Sequence, residues 1–175
     1  MSSVLQFPTS FLRQKNKDVT PDTLPMASRC IKYMKAVIDT EMGLGLAANQ
    51  CGYDYNIILV RRTSDNTIRT LINPKIQKIK GNYVTLCKEG CLSFPGLFIP
   101  IPREDVAYVN YMDEDGKDMI IKFSGIEAVC VQHEIDHLNG NLFYDRVDDT
   151  TLQVAIIQAN AKGHNYDLKS LRNYK

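Results

Sequence analysis

The sequence has no tryptophan, only three histidines and five cysteines, and each shortage narrows what the chain can be. Five is an odd number and no two cysteines stand as CxxC, so a disulfide framework is excluded and a reducing compartment fits. No stretch approaches the roughly 18 apolar residues of a membrane span. The opening Met1-Ser2-Ser3-Val4-Leu5-Gln6-Phe7-Pro8 has neither basic residues nor a long apolar run. A cytoplasmic protein with no membrane partner is expected. An excess of one charge is missing too: Lys and Arg number 21 against 20 Asp and Glu, intermixed, for a net charge of +1. No specific nucleic-acid partner is therefore expected. Repeats and low-complexity tracts are absent. At 175 residues and 44% hydrophobic content the chain fills one core and is short for two, so residues 1–175 are expected to form a single domain.

What the chain does hold is His133-Glu134-Ile135-Asp136-His137. An α-helix turns about 100° per residue, which puts His133 and His137 one turn apart on one face, able to grip a single metal ion. Glu134 is poorly placed to ligate that ion and well placed to take a proton from water on it. The apolar flank from Gly125 to Gln132 and the exit Leu138-Asn139-Gly140 describe a helix apolar on most sides with a glycine stop. Burying two histidines and a glutamate there without a metal would be costly. The pattern reads as metal-assisted hydrolysis.

Around this motif the pattern is α+β. Ala27, Cys30, Ile31, Met34, Val37 and Ile38 recur at helical spacing, predicting a helix over 24–40 capped by Thr20 or Asp22, with Gly43 beyond its end. From Tyr55 to Ser124 the texture is β: strands are expected at 56–61, 68–72, 75–80, 83–87, 106–111 and 119–123. Asp65-Asn66, Gly81-Asn82 and Asp113-Glu114-Asp115-Gly116 supply turns. A last helix is expected over 150–161, stopped by Gly163. Residues 150–175 form a C-terminal tail or helix in which Lys162, Lys169, Arg172 and Lys175 face only Asp167, a charged, solvated segment with a weak electrostatic route to RNA. The fold expected is antiparallel strands packed around a central helix bearing HExxH.

A catalytic site of this kind needs a third protein ligand and an open position. Ten residues after His133 stands Phe143, where one protease pattern has a ligand; no glutamate follows Glu134, and His164 lies after a glycine in what reads as a mobile tail. Cysteine leads, because a thiolate binds zinc or iron strongly. Cys130 shares the helix face of His137 but sits too far back along the axis, so it reads as wall. Cys30 reads as core packing, whereas Cys51 and Cys87 stay open. Cys91 sits in the glycine-bracketed loop Glu89-Gly90-Cys91-Leu92-Ser93-Phe94-Pro95-Gly96, which can present a thiolate and a free backbone N–H together or be an ordinary turn. Gly43-Leu44-Gly45-Leu46-Ala47-Ala48-Asn49-Gln50 leaves its backbone almost bare; were it to border the metal, Gln50 would donate an N–H to an oxyanion.

These three segments, in this order, resemble the signature motifs of the peptide deformylase family: GxGxAAxQ at Gly43–Gln50, EGCLS at Glu89–Ser93 and QHExDHL at Gln132–Leu138. Val4-Leu5-Gln6-Phe7-Pro8 and Leu12-Arg13 are also similar to the family's N-terminal segment, so the likeness covers roughly 4–147. The resemblance implies a single catalytic domain that removes the formyl group from the N-terminal methionine of nascent polypeptides and releases formate, with transient ribosome contact. It implies Cys91, His133 and His137 as metal ligands, for Fe(II) in the cell with Zn(II), Ni(II) or Co(II) as substitutes, and Glu134 as general acid and base. Gln50 and the N–H of Leu92 would stabilise the oxyanion, and backbone at Leu44 and Gly45 would pair with the substrate as an added strand. Leu44, Val129 and Cys130, with the apolar side of His133, would take the methionine side chain. Between Ser93 and Arg103 the chain carries no charged residue where some family members place an arginine near the peptide. Glu89, Asp136 and Arg103 are expected to include a carboxylate–arginine pair that orients a ligating histidine. Two other classes stand beside this reading: an HExxH metallopeptidase with a third ligand other than Cys91, and a non-catalytic protein with a four-ligand structural metal site.

Overall fold

The computed structural model describes residues 4–84 and 88–174. Strands β1 (Gly45–Ala47), β2 (Ile57–Arg61), β3 (Ile68–Val84), β6 (Arg103–Met112) and β7 (Asp118–Ser124) form one sheet in the order β1-β2-β3-β6-β7; β4 (Lys88–Cys91) and β5 (Phe94–Pro100) form a separate ribbon. Every strand pair is antiparallel. Four helices complete the fold: α1 (Leu24–Thr40), α2 (Ile126–Leu138), α3 (Asp149–Asn160) and α4 (Leu168–Asn173). The α+β class is as expected.

β2 explains the layering. Its residues Ile57-Ile58-Leu59-Val60 are all buried because successive side chains enter opposite faces and both faces are covered. Ile57 and Leu59 join Met34, Val37 and Ile38 of α1 in one cluster; Ile58 and Val60 join Ala128, Val131 and Ile135 of α2 in another. The larger sheet thus lies between α1 and α2. A third cluster packs Leu97 and Ile99 of β5 against Leu152, Ala155 and Ile156 of α3 and Leu171 of α4.

Several local expectations change. The strands expected at 68–72 and 75–80 and the start of that at 83–87 are one strand, β3, whose register slips between Ile72 and Lys75, Ile76 and Lys78, and Lys80 and Tyr83. Gly81-Asn82 is therefore inside a strand rather than a turn, with Gly81 at φ 100°. The remainder of the expected strand, 85–87, and with it Cys87, lies outside the described residues. The N-cap of α1 is Thr23 instead of Thr20 or Asp22, with Pro25 in the first turn, where a missing N–H costs nothing. The C-terminal segment is not a loose solvated tail: Leu171 is fully buried, Tyr174 hydrogen-bonds Thr9, and Arg172 pairs with Asp149 at 2.8 Å. Among the described residues no helix is long and apolar enough to cross a membrane.

Candidate metal centre

α2 is buried almost throughout, and the polar residues it carries inward each have a reason to be there. His133 and His137 stand one turn apart with ring centroids 5.0 Å apart. Cys91, the last residue of β4 before the two-residue turn Leu92–Ser93, brings its Sγ to 3.2 Å from His137 Nε2. One donor atom from each of Cys91, His133 and His137 lies within 4.8 Å of the others, the only such grouping of three or more His, Cys, Asp or Glu among the described residues. A thiolate with two imidazoles is a donor set for zinc, iron or their neighbours in the first transition row.

Partners fix the His133 ring and the backbone at His137, whose own Nδ1 is buried without a hydrogen-bond partner. His133 donates its Nδ1–H to Glu89 Oε2 at 2.8 Å, leaving Nε2 for a ligand, and Asn49 Nδ2 donates to the His137 carbonyl at 2.7 Å. Glu89 in turn accepts two hydrogen bonds from Arg103, whose Nη1 donates to Asp136 at 2.9 Å; Asp136 also accepts from Arg146 at 2.6 Å through each of its oxygens. The expected carboxylate–arginine pairing is present. Burial alone would raise the Glu89 carboxyl, but hydrogen bonds from His133 and Arg103 outweigh it and hold the group below its ordinary range. Burial would likewise strip the proton from Arg103, and Glu89 and Asp136 overcome it. Burial, with the positive charge of Arg103 adding to it, holds His137 below its ordinary range, on the neutral side that a metal ligand needs.

Glu134 differs from these. Burial pushes its carboxyl up to about 7 against the pull of His133 and Arg103, and its Oε2 is a buried oxygen with no hydrogen-bond partner. Gly45 explains how the backbone reaches it: a Cβ there would stand 2.5 Å from Glu134 Oε1 and from Cys130 Sγ, so only glycine fits. Gln50 is oriented by Ala47, whose N–H it accepts at 2.9 Å; this turns Nε2 toward Ser93 Oγ (3.2 Å) and Cys91 Sγ (3.5 Å).

A cleft of about 640 Å³ opens over the centre, and Leu44, Gly45, Gln50, Cys91, Leu92, Val129, Cys130, His133 and Glu134 line it; His137 lies beneath, 1% exposed. All the residues singled out in the three motifs are thus brought together. The cleft lies between β1, an edge strand of the larger sheet, and β4, whose one described partner is β5. Among the described residues the other cysteines are not part of the grouping. Cys30 packs in the α1 cluster, and Cys51 has its thiol pushed up to about 12 by burial and by Glu134. His164 stacks on Tyr166. Sequence reasoning gave no part to Ser93, Asn49, Arg146 or the cleft residues Ile126, Gly96 and Phe98. Ser93 and Asn49 lie inside the two motifs and were legible as such; Arg146 had no local signal.

Comparison with known proteins agrees with this geometry. The sequence model described as polypeptide deformylase matches residues 1–153. A peptide deformylase of Picosynechococcus sp. is 38% identical over 144 residues, covering 81% of this chain and 74% of that protein. Peptide deformylase 2 of Vibrio vulnificus is 33% identical over 163 residues, covering 93% and 94%. Among solved structures, a Synechococcus elongatus peptide deformylase in complex with actinonin superposes with a TM-score of 0.83 at 32% identity, covering 95% of this chain and 87% of that one. A thiol and two helical imidazoles meeting under a cleft, in a sequence and a backbone this similar, have one consistent explanation: the chain belongs to the peptide deformylase family.

Proposed function

We propose that this chain, as a single catalytic domain, hydrolyses the N-formyl group of the N-terminal formylmethionine of nascent polypeptides, with Cys91, His133 and His137 holding the divalent ion. One observation carries the reading: these three donors and the unpartnered carboxyl oxygen of Glu134 converge at the floor of a cleft flanked by two strand edges. When bound, the ion supplies Lewis acidity toward water and the formyl oxygen. Fe(II) is the proposed native metal, with Zn(II), Ni(II) or Co(II) accepted by the same soft and borderline donors.

The chain's own residues do the rest. Glu134 takes the proton of the attacking water and returns it to the departing amine. Gln50, its amide already turned by Ala47, donates Nε2–H to the formyl oxygen as negative charge grows there, and the backbone N–H of Leu92 in the adjoining turn is assigned the second donor. Backbone at Leu44 and Gly45 pairs with the peptide as an added strand, while Leu44, Val129 and Cys130 wall the pocket for the methionine side chain. A transient contact with the ribosome in the cytoplasm would deliver the formylated end. Nothing favours an ordinary metallopeptidase, which would need another third ligand, or a closed structural site, which would need a fourth.

The test is formate release from formyl-Met-Ala-Ser by protein purified anaerobically, beside the same peptide with a free amine. Formate from the first and no cleavage of the second is expected. Glu134→Ala should lower kcat/KM by about 10²–10⁴-fold with metal content unchanged. Loss of the metal in that variant would make Glu134 structural, and no formate from metal-loaded protein would overturn the reading.

A further inference from the structure

Phe98 is a large aromatic side chain left 50% exposed. In β5 the side chains alternate, Leu97 and Ile99 inward and Phe98 outward; in β4 Glu89 points inward to Arg103 and His133 while Gly90 faces out. Gly90 has no side chain, and the Phe98 ring fills the space: a Cβ on Gly90 would stand 2.5 Å from Phe98 Cε1 and 2.9 Å from Cδ1. The ring therefore lies across β4 toward its edge and forms part of the cleft wall together with Gly90. Lys88, the neighbouring outward residue on β4, is drawn toward α3, where its Nζ donates to Gln158 Oε1 at 2.9 Å. Around Gly90 and Phe98 the cleft wall is apolar, with Lys88 at its margin.

An extended peptide along this edge must alternate as the strands do. With its first side chain directed to Val129 and Cys130 on α2, the same side to which Glu89 points, its second side chain faces outward with Gly90 and Phe98. We propose that Phe98, laid across Gly90 at the edge of β4, is a specificity-determining residue that packs on the second side chain of the formylated peptide and favours a large apolar one. This rests on the deformylase reading above. It names a preference that the three motifs do not carry, because Phe98 lies outside all of them.

The experiment measures kcat/KM on formyl-Met-X-Ser peptides with X = Phe, Leu, Gly and Glu, for wild type, Phe98→Ala and Phe98→Lys. An open shelf contributes less than a closed pocket, so wild type should favour Phe over Gly by about five- to tenfold. Phe98→Ala should bring that ratio within about twofold, and Phe98→Lys should raise Glu above Phe. A half-exposed position tolerates both changes, and unchanged far-UV circular dichroism would verify it. Equal X profiles in wild type and both variants, with formate still released, would overturn this proposal and leave the deformylase reading intact. No formate from any of the four peptides with wild type would overturn both.

Discussion

The two long helices are buried by opposite means. α1 buries one stripe, Ala27, Cys30, Ile31, Met34, Val37 and Ile38, and leaves Arg29 and Lys32 in water. α2 is buried from Ala128 to Leu138 and includes Gln132, His133, Glu134, Asp136 and His137 in that run. A stripe needs nothing but spacing, and periodicity supplies it. Buried charges need partners brought from elsewhere: Glu89 from β4, Arg103 from the start of β6, Arg146 from the short turn Phe143–Arg146. Burial of that kind is stabilising only when every group is satisfied. In α2 two buried polar atoms are left without a hydrogen-bond partner, His137 Nδ1 and Oε2 of Glu134, the residue proposed to handle the proton. The contrast is between a helix that holds the fold and a helix the fold holds in place.

The largest effect expected on that contrast comes from Arg103→Leu. It would leave Glu89 with His133 alone and Asp136 with Arg146 alone, costing about 3–5 kcal/mol in denaturant unfolding. Adding Glu89→Leu should recover part of this, since apolar groups can replace a buried pair, yet deformylation should stay lost because His133 Nδ1 has no acceptor. Recovery of stability and activity together would erase the distinction between the helices. Met34→Ala in α1 is the counterpart. Met34 is fully buried, so a loss of about 3 kcal/mol is expected from removed contact and residual cavity, with kcat/KM on formyl-Met-Ala-Ser unchanged at a temperature where the variant is folded.

The same contrast explains what could be read from residues alone. His133, His137 and Glu134 stand inside a short pattern whose spacing is chemistry, and the α1 stripe is a strong period, so both were legible; Cys91 and Gln50 joined them only through the likeness of their segments to family motifs. β1, β4 and β5 were not: three, four and seven residues, with Gly45, Gly90 and Gly96 among them, carry too few alternations and too little β propensity to distinguish a strand from a glycine-rich loop. β3 was divided at its C-terminal part because Gly81-Asn82 read as a turn, whereas register slips let the strand continue past it. α4 was hidden by its charges. Leu168 and Leu171 lie one turn apart among them, and that apolar pair packs in the α3 cluster while Asp167 caps the helix on Ser170 N. Arg103 and Arg146 meet Asp136 from 33 and 10 residues away, and no local pattern announces such a meeting.

The smallest effect expected lies on the wet side of α1 and sharpens the comparison by its size. Lys35 Nζ donates to Glu114 Oε1 at 2.6 Å, and Thr70 Oγ1 donates to the same oxygen at 2.6 Å. Partial burial would raise the Glu114 carboxyl, but the bonds from Lys35 and Thr70 prevail and lower it. A lowered folded-state pKa contributes stability that is present above the unfolded value and disappears as pH falls through the folded one. Both side chains are well exposed, at 37% and 47%, so solvent screening reduces the pair to about 0.2–1 kcal/mol. Lys35→Ala should therefore cost that little at neutral pH, and the difference from wild type should close as acid protonates Glu114. Paired urea melts at neutral pH and below the ordinary carboxylate range read this directly. A cost approaching that of Arg103→Leu, or one that grows in acid, would mean that α1 too depends on charges held in place.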